Sequence, residues 1–168
     1  MTIIKKTIIV IACVFLLLIG YKVYITVRSE PYADDSIAYE IYNLLRDNGY
    51  DVVMEDGVEM FNDAKAYNVG VRPEMFENLD LHEIAENPEV FFINIHLYST
   101  ENDAIIKTGQ FGPKGDVYLD DLGRYHNLGF HTAPRCLRSG NAIIFYLGVD
   151  TAVLELLIAS YGKQFAGS

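Results

Sequence analysis

The stretch that most constrains this chain is its beginning, "TIIKKTIIVIACVFLLLIGYKVYITVR", residues 2 to 28. Between Thr7 and Val27 the only charged residue is Lys22. As a helix these residues extend about 31 Å, enough to cross a bilayer core of about 30 Å. The segment has no polar face, so it is not expected to cover the surface of a soluble domain. Lys22 lies near one end, where its stem can reach the interface. Tyr21 and Tyr24 suit the aromatic belt at that level. Lys5 and Lys6 favour a cytoplasmic N-terminus, a bias that Lys22 and Arg28 on the other flank weaken. The expected arrangement is a single-pass anchor over 1–28, touching membrane lipid through 7–27. A linker over 29–35 follows, and then a globular domain over 36–168 outside the cytoplasm of the cell.

Two other export readings stay open. "VIAC", residues 10 to 13, fits a signal in which Cys13 accepts a lipid, although only a short apolar run precedes it and strongly apolar residues follow. "VRS", residues 27 to 29, offers small residues for cleavage, far beyond the end of the apolar run at Ile19. All three readings place the domain outside the cytoplasm.

Beyond the anchor about 140 residues remain, enough to bury a core without disulfides or metals. With 51% hydrophobic residues, twelve Tyr and nine Phe, the composition argues against disorder. Ile37, Ile41, Leu44 and Leu45 recur on one helical face, with Asp34, Asp35 or Ser36 as cap and Gly49 as stop. "YDVVMED", 50 to 56, alternates as a strand, and "GVEMFNDAKAYNVGV", 57 to 71, reads as a hairpin or irregular loop. Pro73 opens an expected second helix that Asn87 and Pro88 end.

"VFFINIHLY", 90 to 98, is the clearest strand, with a wholly apolar face and an amphipathic one of Phe92, Asn94, His96 and Tyr98. Ser99 or Thr100 caps a helix to about Gln110, and "VYLDDLG", 117 to 123, suggests a short strand. "NAIIFYLG", 141 to 148, predicts a second central strand. A final helix starts at Asp150 or Thr151, buries Val153, Leu154, Leu157, Ile158 and Tyr161, and stops at Gly162. The expected class is α+β, a small, mostly antiparallel sheet with helices packed on one face, in a ferredoxin-like arrangement lacking its first strand. A small α/β sheet is the alternative.

Charge narrows the partners. The chain has a formal net charge of −10. Glu30 to Glu89 holds sixteen acids against Arg46, Lys65 and Arg72. Such a surface repels nucleic acid, whose binding rests on Lys and Arg, and favours cations or a basic protein partner. The acidic stretch "MEDGVEMFND" lacks the ligand spacing of a calcium loop and reads as a solvated face.

The segment "GRYHNLGFHTAPRCLRSG", 123 to 140, stands apart because it contains no acid. It reads as a long connection, and such connections are often functional. His126, His131 and Cys136 supply metal-ligand chemistry, to which Asp120 and Asp121 could add carboxylates, but their five-residue spacing is not that of the usual zinc pairs. Arg135 and Arg138 flank Cys136 and would favour its thiolate, with His96 or His131 as base. The alternative for Cys136 is a small buried hydrophobe. Arg124, Arg135 and Arg138 suit carboxylate or phosphate ligands; alternatively they pair with acids of the first half. Asn94, His96 and Tyr98 would line a polar groove if no helix covered them.

No catalytic or cofactor motif is legible, so the expected function is a membrane-anchored extracytoplasmic binding or protein-interaction module without cofactor. The alternative is an enzyme or metal-binding protein using His126, His131 and Cys136. The binding candidates are Arg124, His126, His131, Arg135, Arg138, Asn94 and His96.

Overall fold

The computed structural model describes residues 36–57, 60–61, 63–71, 84, 86–128 and 133–167. The anchor and linker, and most of the helix expected from Pro73, lie outside the described residues. Among the described residues no helix is long and apolar enough to cross a membrane.

The domain is α+β, with three helices and a mostly antiparallel sheet. Helix α1 (Ser36–Asp47) precedes β1 (Val53–Asp56), β2 (Ala64–Gly70) and β3 (Phe92–Tyr98). Helix α2 (Glu101–Thr108) leads to a small hairpin of β4 (Val117–Leu119) and β5 (Tyr125–Asn127). Strands β6 (Arg135–Ser139) and β7 (Ala142–Leu147), helix α3 (Thr151–Tyr161) and β8 (Gln164–Ala166) complete it. The main sheet runs β1-β2-β3-β7-β6-β8, with every neighbouring pair antiparallel.

Strands β1 to β3 form a meander. Helix α3 then carries the chain from β7 across β6 to β8, which runs parallel to β7. Helix α2 and the small hairpin likewise carry the chain from β3 past β7 to β6, which runs parallel to β3. The split β-α-β connection of a ferredoxin-like sheet therefore occurs twice, beside a meander that such a sheet does not have.

The sheet is buried on both sides. Beneath α1 and α3, Ile41 and Leu45 meet Val69, Ile93, Ile95, Ile144 and Val153. On the opposite face, Phe61, Ile84 and Ala104 of α2 pack with Phe92, Tyr98, Ile143 and Phe145. The helices therefore do not share one face, as expected above. The reason lies in β3, where all seven residues are buried. Its second face carries Phe92 and Tyr98, whose apolar area must also leave water. Helix α2 and the β4–β5 hairpin provide the cover.

Four strands were not delimited in the sequence. Strand β2 sits inside the segment 57–71 that reads as a hairpin or irregular loop, and it forms the hairpin with β1. It is buried on both faces, so it shows no alternation, and Asn68 and Gly70 mimic loop punctuation. Strands β5 and β6 lie inside the long segment 123–140. Ser139 pairs with Ala142 across the two-residue turn Gly140-Asn141, where Gly140 takes φ of 53°, a conformation glycine adopts without strain. Strand β8 is only three residues long and half-buried in part.

Asp150 joins the layers. Its carboxylate accepts from the backbone N–H of Ala152 at 2.8 Å and of Val153 at 3.4 Å, capping α3. It also accepts from the Tyr50 hydroxyl at 3.2 Å, and its carbonyl accepts from the Tyr146 hydroxyl at 2.8 Å. Asp150→Ala is expected to destabilise the domain by about 1–2 kcal/mol and to lower Tm by roughly 3–6 °C. Asp150→Ser should retain most of the cap. Thermal denaturation followed by circular dichroism checks both.

Candidate functional site

The β4–β5 hairpin is built on one carboxylate. Asp120 stands where β4 ends, and Gly123 takes φ of 76° to close the turn. Asp120 Oδ1 accepts from the backbone N–H of Leu122 at 3.0 Å and of Arg124 at 2.8 Å, the local pattern that makes Asp a turn residue. Asp120 Oδ2 accepts from the Arg124 guanidinium, with Nε and Nη2 both at 2.7 Å. His126 Nε2 donates to the same oxygen at 2.8 Å. These donors, led by His126, hold the Asp120 carboxyl well below the usual carboxylate range.

His126 also stacks on Tyr118, with ring centroids 4.9 Å apart and an interplanar angle of 18°. The turn is thus fixed at its base, while Leu122 is 76% exposed and Tyr125 80% exposed. Two large apolar side chains stand on a backbone whose polar groups are already engaged.

Beside the hairpin lies a cleft of about 310 Å³. Phe61 and Tyr118 form its aromatic wall, with centroids 5.1 Å apart and rings nearly perpendicular. Asp63, Asp120 and Asp121 supply its acids, and Lys107 reaches in from α2. Lys107 Nζ sits 3.5 Å from Asp63 Oδ2 and 5.2 Å from the Phe61 centroid.

A buried polar ladder runs across the sheet on this same side. In register, Asn68 lies opposite Asn94 and Ala66 opposite His96. Asn94 Nδ2 donates to Asn68 Oδ1 at 2.8 Å, which leaves Asn94 Oδ1 as the acceptor for His96 Nε2. The proton of the neutral ring therefore sits on Nε2 and Nδ1 is a bare acceptor. Nδ1 has no hydrogen-bond partner, nor has the Tyr98 hydroxyl two residues on. Burial pushes the His96 pKa down to about 3, so the ring is neutral at physiological pH. Phe61 and Phe145 enclose it edge-on, at 5.0 Å and 5.6 Å.

The sequence candidates separate into groups. Arg124 and His126 meet at Asp120. Arg138 Nη1 donates to Glu101 Oε1 of α2 at 3.3 Å, so it holds the sheet to a helix, though not to the acidic first half. Arg135 lies half-buried on β6 opposite Tyr146. Asn94 and His96 belong to the covered ladder and line no open groove. His131 lies outside the described residues. Cys136 is wholly buried, its thiol 3.9 Å from the Pro134 carbonyl. Burial, aided by Asp116, pushes the thiol up to about 12 despite the neighbouring arginines. Among the described residues no three of His, Cys, Asp and Glu come together as metal ligands.

Phe61, Lys107 and Tyr118 were not singled out in the sequence, and Asp120 only as a possible metal carboxylate. Asp120 had a legible signal, an Asp two residues before the Leu122 amide and three before Gly123. The cleft had none, because its members come from three separated segments. Compared with protein families, curated proteins and solved structures, the chain matches none.

Two outcomes are expected. Ionised Asp120 is favoured in the folded hairpin. Its contribution is therefore complete above about pH 4, the unfolded carboxylate range, and is lost only as pH falls through the lower folded value. The Asp120 carboxyl carbon signal should titrate below that of an unfolded reference peptide. Asp120→Ala should shift the Leu122 and Arg124 amide resonances. In a Cys13→Ser background, Cys136 should resist iodoacetamide at pH 8 while the chain is folded and react once denaturant unfolds it; mass spectrometry reads the difference.

Proposed function

We propose that this chain is a membrane-anchored, extracytoplasmic protein-interaction module that contacts its partner through the β4–β5 hairpin. The observation that carries the reading is the pairing of exposed Leu122 and Tyr125 with a turn that Asp120 has already ordered. A contact loop ordered in advance loses less conformational entropy on binding. Tyr and Arg are the residue types that most often anchor interfaces, and Tyr125 stands next to Arg124. The anchor over residues 1–28 and the linker over 29–35 would hold this surface outside the cytoplasm. The acidic balance disfavours nucleic acid and suits a basic protein. The enzymatic alternative loses its nucleophile, because the Cys136 thiol is buried and protonated.

The test places a photo-crosslinking phenylalanine analogue at position 125 of the full-length chain in its own membranes. A control carries it at Tyr39, which is exposed on α1. The expected result is a protein adduct from position 125 alone, in carbonate-washed membranes, with the label reachable by protease added outside intact cells. Leu122→Asp should reduce the adduct about tenfold or more, as loss of an interface anchor does. Equal adducts from both positions, or recovery of the chain from cytosol, would sink the reading.

A further inference from the structure

We propose that the cleft beside the hairpin receives a lysine side chain of the partner protein, in the place its own Lys107 now occupies. The proposal rests on the hairpin being the protein-contact site. Lys107 is only 13% exposed along its side chain. Its ammonium lies 5.2 Å from the Phe61 centroid and 6.0 Å from that of Tyr118. An ammonium carries three donors, and the Asp63 carboxylate at 3.5 Å receives one of them. The cleft therefore already holds a cation through ring faces and a carboxylate, the two groups that recognise organic ammonium ions.

A second observation points inward from below. Tyr98 is fully buried, and its hydroxyl has no hydrogen-bond partner. The charged and polar groups its hydroxyl feels are Asp63 and Tyr118, both of which line the cleft. The Tyr98 oxygen is thus an unmet buried acceptor that feels two residues of the cleft, although Tyr98 does not itself line it. Gln110 adds another. Its Nε2 donates to Asp121 Oδ1 at 2.7 Å at the rim, while its buried Oε1 has no partner. Asp120 is not part of this acceptor set, since Arg124, His126 and two amides already occupy it.

The hairpin that displays Leu122 and Tyr125 also supplies Tyr118, Asp120 and Asp121 to the cleft. A protein docked on the tip would hold its own lysine near the cleft at high effective concentration. A free amine has no such advantage. Lys107 then acts as an internal occupant that the incoming lysine must displace.

The experiment titrates the full-length chain in detergent micelles with the peptide acetyl-Gly-Lys-Gly-amide and follows the ring resonances of Phe61 and Tyr118. The same peptide acetylated on its lysine and n-butylammonium are the comparison probes. The lysine peptide is expected to shift both rings and the acetylated peptide neither. Lys107→Met, which keeps an apolar stem on the rings, should bind the lysine peptide about tenfold tighter if Lys107 fills the cleft nine-tenths of the time. Asp63→Asn should weaken it. Lys107→Gln repeats the measurement should Lys107→Met disturb the fold. No shift in the folded wild type or in either folded Lys107 variant overturns the proposal. Tighter binding of n-butylammonium than of the lysine peptide assigns the cleft to a free amine and overturns the protein partner. If the adduct at position 125 persists without amine binding, the cleft assignment falls and the hairpin reading stands. If the adduct is lost while amines bind, the hairpin reading falls and takes the partner lysine with it.

Discussion

Strands β3 and β7 have no solvated face, and the rest of the domain follows from that. Each is flanked by hydrogen-bonded neighbours on both edges, and all of their residues are buried. A strand in that position needs cover above and below. Helices α1 and α3 supply one cover with aliphatic side chains. The other is assembled from pieces: α2, the Phe61 segment and the small hairpin. The second cover is also where the sheet carries Asn68, Asn94 and His96 instead of Val and Ile. A buried polar group is tolerated when it is hydrogen-bonded. The ladder satisfies four of the atoms involved and leaves His96 Nδ1 unmet.

The pieces of the second cover hold together through aromatic contacts. Phe61 touches the His96, Phe111, Tyr118 and Phe145 rings at centroid distances from 5.0 to 6.4 Å. Edge-to-face pairs of this kind add about 0.5–1.5 kcal/mol each beyond burial. Phe61 therefore does two things at once. It seals the core above His96, and its outer face forms the wall of the acidic cleft. Lys107 completes the seal from α2. Its ammonium lies over the Phe61 ring, beside the Asp63 rim.

Much of this was legible in the chain. The five elements with clean periodicity or caps, namely α1, β3, α2, β7 and α3, lie where "SIAYEIYNLLRD", "VFFINIHLY" and their successors imply. Thr100 and Asp150 cap helices as their residue types suggest. The missed strands have separate causes. Strand β2 has no alternation because both of its faces are buried, and β6 reads as loop because Arg135 and Arg138 interrupt it. The Gly140-Asn141 pair was a hairpin signal hidden inside a segment taken for one long connection. At the candidate site, Arg124 and His126 lie in the acid-free stretch that the sequence sets apart. The site's organising residue, Asp120, was read only as a spare metal ligand. Periodicity describes one element at a time. The cleft joins residues 61, 107 and 118, whose meeting depends on how the second cover folds over the sheet.

The two covers also differ in what they leave undone. The cover of α1 and α3 buries mainly aliphatic side chains against the sheet, and two tyrosines of that layer, Tyr50 and Tyr146, both end on Asp150. Among the described residues, the three buried polar side-chain atoms without partners belong to His96, Tyr98 and Gln110. His96 and Tyr98 lie on the second face, and Gln110 is tied to the hairpin through Asp121. An unmet buried donor or acceptor costs about 1–3 kcal/mol, and sequences keep such costs mainly where a site demands them. Unspent hydrogen-bonding capacity is found on the second side of the sheet. That second side is also where the chain exposes Leu122 and Tyr125 and draws a lysine among its own aromatic rings. A domain organised only for stability would have placed apolar residues at positions 96 and 107. Their polarity is the physical reason to look for a ligand beside the hairpin and not beneath α1 and α3.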